Sequence, residues 1–330
     1  MIRIGHAPCS WGVEFADDPR NPAWRRVLAE NAEAGFAGIE LGPVGFMPED
    51  PVELGEALAE FQQTLIGGVV FRPFHDPDAW DDVLDGAQRT AKALKAHGAE
   101  HLVLIDSISP RRAPTAGRAT EAEQMDASEW AAFRDKIATI ARMGAEEYGL
   151  TVGIHAHAAG FMDFEPELER LLDEVDASLL KICFDTGHHS YAGFDPVAFM
   201  QRHMERISYM HFKDIDPVVK ADVIDRRTGF YDACGQGIFC RLGEGDVDFP
   251  TVRQVLLDAG FEGWCTVEQD CDPLGHTSPV DDARANREFI GLNGPLGKRI
   301  CHGQRGPHRL GFGAQRHSGE RCEFTPFAKR

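Results

Sequence analysis

Short, uniformly apolar runs recur along the chain, at Ile2–Ala7, Gly38–Leu41, Leu65–Phe71, His101–Asp106, Leu150–His155, Leu180–Asp185, Ile207–Phe212 and Trp264–Glu268. Runs this brief, with little polar alternation, suit strands of a parallel sheet covered by helices on its faces. Amphipathic stretches separate them. Several of these stop on glycine just before the next run, as in A-E-A-G-F-A-G-I-E-L and E-E-Y-G-L-T-V-G-I. Glycine there supplies the left-handed turn that ends a helix. Helix starts are marked as well: Asn21-Pro22, Asp126-Ala-Ser128-Glu-Trp130, Phe164-Glu-Pro166, Asp195-Pro196 and Phe249-Pro250 each put proline or a capping side chain at a predicted first turn. The helix opened at Asp126 is predicted to reach Tyr148, and the one after Pro166 to cover Glu167–Val175. Eight strands alternating with helices predict an α/β fold, a closed (β/α)8 TIM barrel in preference to a doubly wound sheet.

Two segments break the rhythm. Ser107–Asp126 is rich in Pro, Arg and Thr, and Ile215–Val247 contains a further helix-like stretch followed by G-Q-G-I-F-C-R-L-G-E-G-D. Long loops after barrel strands commonly carry ligand contacts or a lid. Beyond residue 293 the apolar pattern ends. Gly294–Arg330 holds eight basic and two acidic residues and many glycines. It is expected to be a disordered or loosely packed tail, with 1–293 as the catalytic barrel.

Net charge is −19 and the isoelectric point near 5.1. Nucleic acid and anionic membrane are therefore disfavoured as partners, since both need a basic face. No apolar run approaches the ~20 residues of a membrane span, and the first residues lack a signal-peptide core, so a cytoplasmic protein is expected. The eight cysteines form no C-x-x-C pair, which predicts reduced, mostly buried thiols.

Polar residues that end the late strands carry the chemistry. Strand five ends in His155-Ala-His157, strand six in Asp185, strand seven in His211 and strand eight in Glu268. In a parallel barrel all four ends point to the C-terminal rim. Two imidazoles and two carboxylates there suit a divalent metal such as Mn²⁺ or Co²⁺, with Zn²⁺ or Fe²⁺ next; Mg²⁺ prefers oxygen ligands alone. Other rim residues fill out the expected site. Lys213 shares the facing of His211 and, beside a cation, would deprotonate more readily and serve as a base; a salt bridge to Asp214 or Glu268 is the alternative. Glu40, ending strand two, is a candidate for proton transfer or for pairing with a cation. Trp11 is a candidate for stacking on a sugar-like ring, and equally for rim packing. Arg72, His75 and Asp106, at the ends of strands three and four, complete the candidate substrate contacts.

The motifs I-G-H-A-P-C-S-W-G, H-A-H, F-D-T-G-H, Y-M-H-F-K-D, G-I-F-C-R-L-G-E-G-D-V-D-F and W-C-T-V-E-Q-D, in that order, resemble the xylose-isomerase-like barrel superfamily of sugar phosphate isomerases and epimerases. Within it they are most similar to the inosose (2-keto-myo-inositol) dehydratases of inositol catabolism. The superfamily's metal ligands at the ends of strands five to eight are Glu, Asp, His and Glu. Asp185, His211 and Glu268 match; His155 stands in place of the first Glu, so that His155, His157 or a water could complete the set. His6 replaces an expected Asn. The resemblance implies a small polyol or sugar substrate, whose ketone and adjacent hydroxyl bind the metal, and an enediolate intermediate. Lys213 or Glu268 would be the base ahead of Glu40, and His157 or His188 would protonate the departing hydroxyl. The implied activity is that of a lyase, a metal-dependent hydro-lyase; the alternatives are a ketose or sugar-phosphate epimerase or isomerase, and a non-catalytic sugar-binding barrel. Whether the chain forms a homo-oligomer stays open.

Overall fold

The computed structural model describes residues 1–272, 274–275 and 278–292. Each predicted run holds a strand, its ends within one residue of expectation: β1 (Ile2–His6), β2 (Gly38–Glu40), β3 (Thr64–Arg72), β4 (His101–Asp106), β5 (Thr151–His155), β6 (Leu180–Asp185), β7 (Ile207–Phe212) and β8 (Gly263–Val267). Neighbours in sequence pair in parallel, and β8 pairs with β1 from Ile2↔Gly263 to His6↔Val267, which closes the barrel. The expected tail, Gly294–Arg330, lies outside the described residues.

Helices α1 (Trp24–Glu33), α2 (Pro51–Glu60), α3 (Trp80–Ala96), α4 (Ala127–Met143), α5 (Glu165–Glu174), α6 (Thr186–Tyr191), α7 (Pro196–His203), α8 (Pro217–Arg226), α9 (Phe230–Gly235), α10 (Phe249–Asp258) and α11 (Pro279–Leu292) complete the fold. Their starts follow local chemistry. Asp126 caps α4 and Glu129 bonds back to the Asp126 N–H, a reciprocal capping box. A π-helical turn over Gly144–Tyr148 then carries the chain to the predicted end. Asp50, Asp195 and Asp216 cap α2, α7 and α8, each with proline in the first turn. Asn21 does not open α1 as its sequence context predicts: its amide donates to the Phe15 carbonyl, and the helix begins three residues later without a side-chain cap.

Alternation along the strands sorts side chains between two cores. Leu102, Leu104, Val152, Ile154, Ile182, Phe184, Met210 and Phe212 face the helices. Val103, Ile105, Cys183, Tyr209 and Trp264 pack with Ile66 inside the barrel. Bulky residues fit there because glycines face them: a Cβ on Gly38 would lie 2.8 Å from the Trp264 ring. Strand parity then does the rest. Positions 153 and 155, 183 and 185, 209 and 211, and 264, 266 and 268 all face inward, and the last inward residue of each run stands at the C-terminal mouth.

The long insert after β7 contains both α8 and α9, and a two-stranded antiparallel ladder pairing Asp214–Ile215 with Phe239–Cys240. Asp214 anchors it: its carboxylate accepts the N–H groups of Ile215, Gly243, Gly245 and Val247. The six cysteines among the described residues are free, and Cys183, Cys234 and Cys265 are buried. No described helix is long and apolar enough to cross a membrane.

Candidate metal centre and its cavity

His155, Asp185, His211 and Glu268 converge at the barrel mouth, each offering a ligand atom within 4.8 Å of the others. The Nε2 of His155 lies 3.4 Å from Asp185 Oδ2. The Nδ1 of His211 lies 3.1 Å from Glu268 Oε2 and 4.0 Å from Asp185 Oδ2. All four residues are buried. Asp185 divides its oxygens: Oδ1 accepts the His188 N–H at the start of α6, and Oδ2 faces the cluster.

The donor set fits a cation. His211 Nε2 lies 3.0 Å from Glu40 Oε1, which fixes a hydrogen on Nε2 and leaves the lone pair on Nδ1. That Nδ1 is buried and has no hydrogen-bond partner, yet it faces two carboxylates. A lone pair against carboxylate oxygens is repulsive unless positive charge lies between them. The same surroundings draw charge onto the ring: burial opposes it, but Cys183, Glu268 and Glu40 raise the His211 pKa well above the ordinary imidazole range. Two nitrogens and two carboxylate oxygens could therefore hold a metal ion. His155 stands in this cluster at the first position, whereas His157 turns its Nδ1 to the Ala158 carbonyl at 2.9 Å.

Glu40 reaches the cavity wall, and one of its oxygens is tied. A register shift between Ile39 and Glu40 accompanies its inward aim. Its Oε1 then accepts the Tyr209 hydroxyl at 2.7 Å as well as His211. That oxygen holds the Nε2 side of His211, away from Asp185 and Glu268.

Lys213 is fully buried, with Nζ 2.7 Å from Asp270, 3.1 Å from Glu268 and 3.5 Å from Asp185. Burial alone would lower its pKa, but Asp270, Asp185 and Glu268 outweigh it and raise the pKa well above the ordinary lysine value. These three carboxylates hold the amine as an ammonium, and the charge of a cation among them would act in the opposite sense. Asp214, the other partner considered for it, is committed to the insert.

His157 and His188 lie with ring centroids 4.1 Å apart. The Ala158 N–H donates to His188 Nδ1, so His188 carries its hydrogen on Nε2, which has no partner and lies 3.7 Å from Asp270 Oδ2. Burial, with Lys213 nearby, lowers the His188 pKa to about 4, so the ring is neutral at pH 7. In His157 the tautomer is reversed. Its Nδ1–H donates to Ala158 and Nε2 is left as an acceptor, while burial and His188 keep its pKa well below the usual value.

These side chains line a cavity of about 60 Å³, with His155, His157, His188, Lys213, Glu268 and Asp270 on its walls. Three expected substrate contacts are elsewhere. Trp11 is buried, its N–H bonded to Glu30 and its ring edge-on to His6, which is the packing alternative. His75 and Asp106 bond to each other at 2.8 Å, and Asp106 also accepts the Phe161 N–H, so the pair secures rim loops. Arg72 reaches the cavity wall, but its guanidinium pairs with Asp82. Asp270, Cys9 and Glu14 also line the cavity, and strand-end motifs alone do not single them out. Asp270 is nonetheless legible: it stands two residues beyond Glu268 and keeps its facing.

A parallel barrel whose mouth gathers two imidazoles and two carboxylates around one point, beside a buried ammonium and two neutral histidines, is built as an enzyme's active site. The chain belongs to the Xylose isomerase-like TIM barrel family, whose sequence profile matches residues 28–291. It is 28% identical to the inosose dehydratase of Geobacillus kaustophilus over 303 residues, covering 88% of this chain and 94% of that one. It is 30% identical to the rhizopine catabolism protein MocC of Rhizobium meliloti over 292 residues, 88% of this chain and 87% of that one. In fold it resembles the crystal structure of the IOLI protein with a zinc atom, at a TM-score of 0.67 and 12% identity, covering 90% of this chain and all of that one.

Proposed function

We propose that the protein is a metal-dependent hydro-lyase that removes water from a cyclic polyol ketone of the inosose type. One observation carries the reading: His155, Asp185, His211 and Glu268 offer their donor atoms to a common point, with the His211 tautomer fixed by Glu40. Relatives named inosose dehydratase support the substrate class. A divalent ion held by these four residues, for which the mixed nitrogen and oxygen donors favour Mn²⁺ or Co²⁺, would supply a Lewis acid for the ketone oxygen.

The remaining side chains divide the proton chemistry. His157, neutral and with Nε2 as acceptor, takes the proton from the carbon beside the ketone. The Nε2–H of His188 donates a hydrogen bond to the substrate oxygen on which negative charge develops. Lys213 gives its proton to the departing β-hydroxyl, a transfer that the charge of a bound cation would ease. The C–O bond then breaks, the C=C bond forms and water leaves. The products are a conjugated enone, a tautomer of the diketone, and an enzyme with one proton moved from Lys213 to His157, which solvent resets.

The test is to add 2-keto-myo-inositol to the protein with Mn²⁺ or Co²⁺ and follow ultraviolet absorbance and product mass. Conjugated absorbance with loss of one water is expected. An epimerised ketose of unchanged mass would replace the lyase with an epimerase. Ligand binding unaffected by chelation, without turnover, would leave only a sugar-binding barrel.

A further inference from the structure

A second cavity of about 400 Å³ adjoins the first, and Cys9, Glu14 and Asp270 line both. It lies between the segment after β1 and helix α9. Counting each carbon with its hydroxyl as one water at ~30 Å³, a six-carbon ring polyol needs roughly 180 Å³. The outer space thus exceeds what one ring fills and falls in the usual range for a ligand pocket, about 300–1,000 Å³.

Its lining has a particular chemistry. Phe15 and Tyr231 are the only exposed aromatic side chains among the described residues, at 43% and 48%, and both face this cavity. Phe71 and Phe230 pack against one side of each ring, and the aromatic surface left exposed is a binding platform for the C–H faces of sugar rings. Carboxylates of Glu14, Asp232, Asp270 and Asp272 stand around them as hydroxyl acceptors. Arg20, the one basic side chain among the described lining residues, is held by Asp18 at 2.6 Å. Among the described lining residues no cation is free to neutralise a phosphate or carboxylate. Glu14, which accepts the Tyr231 hydroxyl at 3.4 Å, stands where the two cavities meet.

We infer that the outer cavity is a subsite for a second, uncharged polyhydroxylated ring, so that the enzyme accepts a polyol carrying a glycosyl substituent. The inner cavity takes the reacting part of the first ring, and the substituent packs against the exposed sides of Phe15 and Tyr231, whose rings meet edge-on at 6.3 Å. The inference rests on the proposed polyol-ketone reading for the inner site, but its test requires no turnover. Calorimetric titration of the Mn²⁺-loaded full chain with myo-inositol and with galactosyl-myo-inositol compares one ring with two. The glycosylated ligand is expected to bind about tenfold more tightly, the gain a good aromatic platform gives. Phe15→Ala or Tyr231→Ala should erase the difference by weakening the glycosylated ligand far more than myo-inositol, and Tyr231→Phe, which keeps the ring, should retain it. Equal or weaker binding of the larger ligand, or a difference untouched by both alanine variants, would overturn the subsite alone, and no binding of either ligand would overturn it together with the polyol reading of the inner site. Failure of the dehydration assay with the binding difference intact would overturn only the dehydratase.

Discussion

Glu40 Oε1 lies 3.0 Å from His211 Nε2, bridging β2 to β7 across the barrel interior. This bond decides which nitrogen of the histidine faces Asp185 and Glu268. Replacing Glu40 with alanine frees the ring to turn or change tautomer, and removing such an outer partner commonly weakens metal binding by about 10–100-fold. Tyr209 keeps its bond to Thr266, so the fold should survive. Competition against a chromogenic chelator measures the effect; unchanged affinity in Glu40→Ala would show that the tautomer needs no such support.

Lys213 offers no ligand atom, so Lys213→Met should retain metal while kcat falls by about 10²–10⁴, the usual weight of a positioned acid. Metal content and kcat measured on the same preparation separate the possibilities. Loss of metal alongside turnover would make the lysine a structural counter-ion for Asp185, Glu268 and Asp270.

Asp163 should make stability depend on pH. It is buried, one oxygen accepts the Ala159 N–H, and the other has no partner. Burial pushes its pKa up from 3.8 to about 8; the Ala159 bond opposes this and Glu167 adds to it. The native state therefore keeps the proton longer than the unfolded chain. The stability this gives is complete below pH 3.8 and is lost progressively as pH rises to about 8. Asp163→Asn cannot ionise. Its stability relative to the wild type should grow with pH over that window, by about 1.4 kcal/mol per pH unit. Melting temperatures from pH 5 to pH 9 test this, and a gap independent of pH would contradict it.

Arg112 ties the Ser107–Asp126 loop to the start of α5. It is 1% exposed and meets Glu167 through two bonds of 2.7 and 3.2 Å. Arg112→Ala leaves a buried carboxylate without its cation, which typically costs about 3–5 kcal/mol. Urea unfolding should register that loss, and a change below about 1 kcal/mol would mean that water reaches Glu167.

Much of this is legible in the chain. The eight strands can be read because each is short, apolar and followed by a marked helix, and the four clustered donors because they end four consecutive strands. Parity also exposes Asp270, two positions past Glu268. Sequence cannot tell where side chains at the rim spend their hydrogen bonds. Glu40, His75 and Asp106 stand at strand ends as a functional residue would, yet each is consumed by a neighbour distant in sequence. Trp11 follows β1 as a substrate platform would, but Glu30 and His6 claim it. The exposed aromatic faces lie instead on Phe15 and Tyr231, which meet only because the insert after β7 returns over the mouth. The charge state of Lys213 is hidden for the same reason: its three carboxylates come from two other strands.

The central claim is that four side chains hold one cation at the barrel mouth. Elemental analysis of dialysed wild-type protein, Asp185→Ala and His211→Ala, each first loaded with Mn²⁺ or Co²⁺, tests it most directly. The account predicts near-stoichiometric metal in the wild type and almost none in either variant, with all three folded by circular dichroism. Near-stoichiometric metal in Asp185→Ala or His211→Ala would contradict it.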